Sequence, residues 1–207
     1  MTKDEILNHH SALIAGASGG IGLACTKLLA AKGCQLYMAA RDDQDLEQAC
    51  DIITELYGID VEPMPTDLSE PVNAAALALE CEDVDILINT FGSLPRGTID
   101  TLEAEDWQSG FELRVFAAIN LTREVLEGMI ELGTGIIINV GGAIDDDLED
   151  QLCILSANAA LKAFSENLDT QAKRQGIRVL TYIPERGLSD DDHAAALIQL
   201  IFAKLSS

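Results

Sequence analysis

Short runs of almost unbroken apolar residues alternate along this chain with longer stretches in which apolar residues return every three or four positions. The short runs are "SALIAG" (11–16), "QLYMAA" (35–40), "VEPMP" (61–65), "DILIN" (85–89), "GIIINV" (135–140) and "IRVLTYI" (177–183). Runs of this length and character predict strands buried on both faces. The longer stretches predict helices over 20–31, 44–58, 71–81, 103–132, 151–176 and 190–205. In the second of these, Leu46, Ala49, Ile53 and Leu56 fall on one side and Gly58 marks the end.

Alternating strands and helices predict an α/β fold, a doubly wound parallel sheet with helices on both faces. The order expected for six such strands is 3-2-1-4-5-6, which leaves the third at an edge. Pro63 and Pro65 fall in that third strand, where missing N–H donors are tolerated. No Pro/Ser-rich linker and no internal repeat interrupts the pattern, so residues 1–207 are read as one domain.

Charge and cysteine usage then narrow the function classes. The chain carries 13 Lys+Arg against 35 Asp+Glu, a net charge of −22. Such a field repels phosphate backbones, so nucleic acid is not an expected partner, and the acid is read as a device for solubility or salt tolerance. There is no apolar run of 18 residues, and "MTKDEILNHH" lacks a charged-then-apolar leader; neither membrane insertion nor secretion is expected. Cys25, Cys34, Cys50, Cys81 and Cys153 are odd in number and never form a C-x-x-C pair. They predict reduced thiols in a cytoplasmic protein, with no disulfide frame and no metal site. His9, His10 and His193 are expected at the surface.

Candidate chemistry begins at "LIAGASGGIGLA" (13–24). Gly16, Gly20 and Gly22 follow a predicted strand and open a predicted helix. Glycine there permits a tight turn and close backbone approach, and the helix start offers free N–H groups to a pyrophosphate. A dinucleotide-binding, Rossmann-type domain is the reading. In "MAARDD" (38–43) the second strand ends on Ala39 and Ala40, with no carboxylate there for a ribose 2′-hydroxyl. Arg41 comes next, and a guanidinium suits a 2′-phosphate, so NADP(H) is expected to bind in preference to NAD(H).

The spacing G-x-x-x-G-x-G, with Ser18 and Ile21 inside it, resembles the short-chain dehydrogenase/reductase family, and the likeness runs through nearly the whole chain. "TDLSEP" (66–71) resembles that family's adenine-contacting segment, with Asp67 and Leu68 in the contact positions. "LINTFG" (87–92) resembles its N-N-A-G turn; Asn89 and Gly92 are kept, whereas Thr90 and Phe91 depart. "IRVLTYIPE" resembles its sixth strand, where Pro184 matches and Glu185 replaces a glycine. Ser189 takes the place of the threonine that holds the nicotinamide carboxamide. The cofactor-binding set implied is therefore Gly16, Ser18, Gly20, Ile21, Gly22, Arg41, Asp67, Leu68, Asn89, Gly92, Pro184 and Ser189.

The resemblance also implies a catalytic Asn-Ser-Tyr-Lys set, and all four positions differ here. Counting back from "GIRV" puts the tyrosine position at Ile154 and the lysine position at Asn158. The serine falls at Gly142 or its neighbour Gly141, and the asparagine at Arg114. Ile154 has no proton to give, and a positioned acid/base supplies roughly 10²–10⁴-fold in rate. No tyrosine occurs in 58–181, so slippage cannot restore the pair. Cys153 and Ser156 are near in sequence, but Ser156 should point away from the Ile154/Asn158 line. Lys162 stays on that line, about 6 Å further along. No catalytic residue is assigned.

Asp145, Asp146, Asp147, Glu149 and Asp150 are read as a solvated loop capping the next helix, lacking the glycine and final Glu of a calcium loop. Few residues separate Pro184 from the last helix, and no seventh strand follows it, so the pocket is expected to be open on the substrate side. The helices over 103–132 and 151–176, fourth and fifth in sequence, imply a homodimer by the resemblance. Three functions stand at this level. One is an NADP(H)-binding member that has lost its chemistry and works as a sensor or complex subunit. Another is an oxidoreductase with an unusual proton donor or an easily reduced acceptor such as a quinone. The third is a structural partner that no longer binds nucleotide.

Overall fold

A computed structural model of the chain describes residues 7–205 apart from Asp60, Glu62, Glu82 and Asp147. Six parallel strands form one sheet in the order β3-β2-β1-β4-β5-β6. They are β1 (Ser11–Ala15), β2 (Gln35–Ala40), β3 (Pro63–Pro65), β4 (Val84–Asn89), β5 (Gly135–Val140) and β6 (Ile177–Tyr182). The helices are α1 (Gly20–Ala30), α2 (Asp43–Tyr57), α3 (Pro71–Glu80), α4 (Ala104–Phe111), α5 (Ala117–Leu132), α6 (Leu152–Ala172) and α7 (Asp190–Leu205). The expected doubly wound order is therefore observed, and the two prolines of β3 sit on the sheet edge beside β2.

Period-two alternation divides the strand residues between two cores. Ala12, Ile14, Ile86, Ile88, Ile136 and Ile138 face α1, α2 and α7, where Leu29, Leu46, Ile53, Leu197 and Ile201 close the layer. Leu13, Leu87, Ile137 and Val179 face the other way, onto α3, α5 and α6 through Leu77, Leu121, Met129 and Leu161. Both faces are covered, which is why the strands read as continuous apolar runs rather than alternating ones. Truncating one such side chain, Ile137→Ala for example, removes about 2–5 kcal/mol.

The long helical stretch predicted over 103–132 is broken. A capping box at Glu103 and Asp106 starts α4, and a π-helical segment over Glu112–Phe116 separates it from α5. The bulge turns Arg114 inward, leaving it buried. Polar groups also join the strands from within. Asn89 Nδ2 donates to Asn139 Oδ1 at 2.9 Å, and Asn139 Nδ2 donates to Ser165 Oγ at 3.0 Å, tying β4, β5 and α6 together. No helix among the described residues is long and apolar enough to cross a membrane.

Two histidines are not where the sequence suggested. His193 is buried, and its Nδ1 lies 2.8 Å from Tyr182 Oη, because the first turn of α7 packs over β6. His10 is half-buried and pairs with Asp85, a buried β4 carboxylate that also accepts from Ser11 N–H. His9 alone is exposed.

Candidate functional site

At the carboxyl ends of the strands lies a cleft of about 810 Å³, at the point where the sheet order reverses between β1 and β4. This is where open α/β sheets place their ligands. One end is formed by the turn from β1 into α1. Gly16 has φ +85°, and a Cβ there would run into the Thr90 carbonyl. A Cβ on Gly22 would strike Gly16 O. Thr90 departs from the family turn, yet it has a structural task. Its Oγ1 lies 2.9 Å from Ala15 O and 3.1 Å from Gly16 O, stitching the glycine turn to the end of β4.

Gly19 and Gly20 are different. A Cβ on Gly19 would meet nothing within 4 Å, and one on Gly20 only Asp190 Oδ2 at 4.0 Å. Gly19 caps α1 with no side-chain acceptor, so its first-turn N–H groups keep their hydrogen-bonding capacity for an anion. The local backbone therefore fits a pyrophosphate: two glycines allow the turn to close, and two leave space over a helix start.

Of the residues assigned to the cofactor from sequence, Gly16, Ser18, Gly20, Ile21, Gly22, Arg41, Leu68, Gly92 and Pro184 line this cleft. Asp67, Asn89 and Ser189 do not. Asp67 Oδ1 accepts from Ser69 N–H and Ser69 Oγ, bonds that hold its carboxyl below the usual range, and Arg41 adds to that in a minor way. Asn89 is buried beneath the cleft floor on Asn139, and its Oδ1 has no partner among the described residues. Ser189 caps α7, donating from Oγ to Asp192 Oδ2 at 2.7 Å. Arg41 is exposed and makes no ion pair among the described residues, since Asp42 instead caps α2 by accepting from Asp45 N–H.

The other end of the cleft is packed. Asn158 Oδ1 accepts from Gly142 N–H and its Nδ2 donates to Gly142 O, both at 2.8 Å. Ile154 is 6% exposed and joins a small apolar cluster with Leu94, Val115 and Ala157. A Cβ on Gly142 would sit 2.9 Å from Ile154 Cγ2, and one on Gly141 2.6 Å from Asn158 Oδ1. Ile154, Asn158 and the two glycines are thus one interlocked unit. Of the groups near this end, Lys162 is exposed toward Glu166, Cys153 is buried with its thiol pushed up, and Tyr182, outside the cleft lining, is engaged with His193, which belongs to it.

Two arginines that sequence reading missed frame the cleft. Arg96 pairs with Asp145 at 2.7 Å and Asp150 at 2.8 Å, and Arg186 pairs with Asp146 at 2.8 Å. The expectation that the acidic loop caps the following helix is corrected. Gln151 occupies that cap without a side-chain bond to it, and the loop is drawn instead to arginines on the segments after β4 and β6. Asp147 lies outside the described residues, among which no group of three metal-ligating side chains occurs. The available signal was that Arg96 and Arg186 each follow a strand and a proline in this arginine-poor chain.

Residues 10–190 match the family model for short chain dehydrogenases, with the cleft inside the matched region. The chain belongs to that family. It is 27% identical over 206 residues to the 3-oxoacyl-[acyl-carrier-protein] reductase FabG of Escherichia coli K12, covering 94% of this chain and 83% of that protein. It is 29% identical over 181 residues to a very-long-chain 3-oxoacyl-CoA reductase of Anas platyrhynchos, covering 84% of this chain and 58% of the relative's length. Among solved structures, L-sorbose reductase from Gluconobacter frateurii, complexed with NADPH and L-sorbose, superimposes with a TM-score of 0.78 at 29% identity. That match covers 86% of this chain and 70% of the reductase. A hydroxysteroid dehydrogenase from Escherichia coli covers 100% of this chain and 95% of its own, with a TM-score of 0.89 at 23% identity, a likeness of fold. Members of the family bind a nicotinamide nucleotide, and the open glycine turn described above fits one.

Proposed function

We propose that this chain binds NADP(H) in the cleft without carrying out the family's carbonyl reduction, and serves as a nucleotide sensor or as a subunit of a larger assembly. The observation that carries the reading is the interlocked unit of Ile154, Asn158 and Gly142 at the positions where the resemblance expects tyrosine, lysine and serine. Bound nicotinamide nucleotide would supply a hydride. At those positions the chain offers the sec-butyl hydrocarbon of Ile154 and the Asn158 amide already satisfied by backbone, so neither side chain gives up a proton.

Nucleotide binding rests on other residues. The N–H groups opening α1 would hold the pyrophosphate. Arg41, free of an ion pair among the described residues and exposed at the end of β2, would take the 2′-phosphate. An NADPH complex of the sorbose reductase relative supports the same preference by analogy. Association through α5 and α6 is the accompanying proposal for assembly. Half-exposed Phe116, at the start of α5, is the apolar side chain it would cover.

Calorimetric titration with NADPH and then NADH tests the reading, followed by a turnover screen on carbonyls and quinones with the same sample. The expected outcome is NADPH binding at least about tenfold tighter than NADH, with no turnover. Equal affinity removes Arg41 from the site, turnover restores an active oxidoreductase, and silence toward both nucleotides leaves a structural partner protein.

A further inference from the structure

Four of the chain's seven arginines, Arg41, Arg96, Arg114 and Arg186, line one cleft, and no lysine among the described residues does. Arg41 stands at the adenosine end, and Arg96 and Arg186 are neutralised by loop carboxylates. Arg114 is the odd one. It is 5% exposed, it lies on the π-helical turn between α4 and α5, and it makes no ion pair among the described residues. Its Nη1 donates to Val140 O at 2.8 Å and its Nη2 to Gly92 O at 2.5 Å, the carbonyls where β5 ends and the segment after β4 begins. Nε is buried with no hydrogen-bond partner among the described residues.

Two carbonyls alone do not account for such a residue. A neutral amide would brace them without burying a charge, and a buried cation with no counter-charge is costly. The guanidinium retains N–H donors beyond the two in use. Arg114 lines the cleft, and the apolar Leu94, Ile154 and Gly142 are among the residues that line it with Arg114. Charge attraction is little screened there. Burial draws its pKa down to about 10, which leaves it protonated at neutral pH while marking how poorly solvated it is.

We propose that this end of the cleft is an anion site in which Arg114 receives the carboxylate or phosphate group of a small ligand. The site lies in the cleft read above as nucleotide-binding and adds to that reading, since the nucleotide's phosphates are assigned to the glycine turn and Arg41. A planar fork of donors in an apolar wall selects a compact oxyanion over a neutral ketone. The ligand therefore belongs to the class of small acids or phosphate esters.

The direct test is the guanidinium Nε–H resonance of Arg114 in the wild-type protein, titrated with sodium oxalate and, separately, inorganic phosphate against chloride of matched ionic strength. A saturable shift with either anion is expected, and the anion giving it names carboxylate or phosphate as the group recognised. An Arg114→Gln variant, whose amide can still bond a strand-end carbonyl, should lose at least about tenfold in anion affinity. If that variant does not fold, the wild-type titration still decides. The same sample titrated with NADPH is read at the Gly20 and Gly22 amides. Glycine shifts without any Arg114 response to either anion overturn the anion site and leave the nucleotide reading intact. An Arg114 response without glycine shifts does the reverse.

Discussion

The two ends of the cleft use glycine in opposite ways. At the α1 end, Gly19 and Gly20 border space that a side chain would occupy, over a helix start whose N–H groups are uncapped. At the α6 end, Gly141 and Gly142 border neighbours already in contact, and their missing Cβ atoms make room for Ile154 and Asn158. One end is held open and the other is filled. A shared backbone frame can thus keep a ligand cradle while its reaction end becomes part of the core, and the direction each glycine faces reveals which has happened.

The sharpest way to break this comparison is Gly22→Val. Its Cβ would collide with Gly16 O, so the turn itself should fail, with loss of soluble folded protein or of more than about a hundredfold in NADPH affinity. Gly20→Val separates space from strain. At φ +54° it should cost about 1–2 kcal/mol, a melting-temperature drop of about 2–8 °C, while the side chain fills phosphate space and removes NADPH binding in titration. Arg41→Ala leaves the fold alone and should weaken NADPH by about 10–100-fold with NADH unchanged, the value of one or two charge-assisted hydrogen bonds.

The filled end yields smaller effects. Gly142→Ser should destabilise by about 1–3 kcal/mol in urea unfolding through overpacking against Ile154, and adding Ile154→Ala should recover part of that loss. Carbonyl turnover should appear in neither. Last, burial pushes the thiols of Cys25, Cys34 and Cys81 up to about 12 from an ordinary 9.0. The unfolded chain therefore loses those protons first, so stability is unaffected below pH 9 and falls as pH rises from there toward 12. At pH 9.5 the loss is below about 1 kcal/mol per thiol, measurable as a shifted urea midpoint.

Much of the fold was legible because its signals are local. β2 and β5 occupy the ranges their apolar runs mark, α7 likewise, and two prolines located the edge strand. The break between α4 and α5 was not, since a π turn leaves the apolar spacing on either side almost unchanged. The glycine turn could be read because its requirement is backbone geometry. The local engagement of Asp67 by Ser69 and of Ser189 by Asp192, two and three residues away, was not read from spacing. His193, Arg96 and Arg114 owe their roles to partners distant in sequence, which spacing does not encode.

A crystal structure with NADPH bound tests the central claim most directly. The pyrophosphate should lie over the Gly19–Gly20 turn, the 2′-phosphate beside Arg41, and the nicotinamide end against Ile154 with no proton-donating tyrosine or lysine in reach. Phosphates bound elsewhere, or a tyrosine or lysine carried to the nicotinamide by rearrangement of α6, would contradict it.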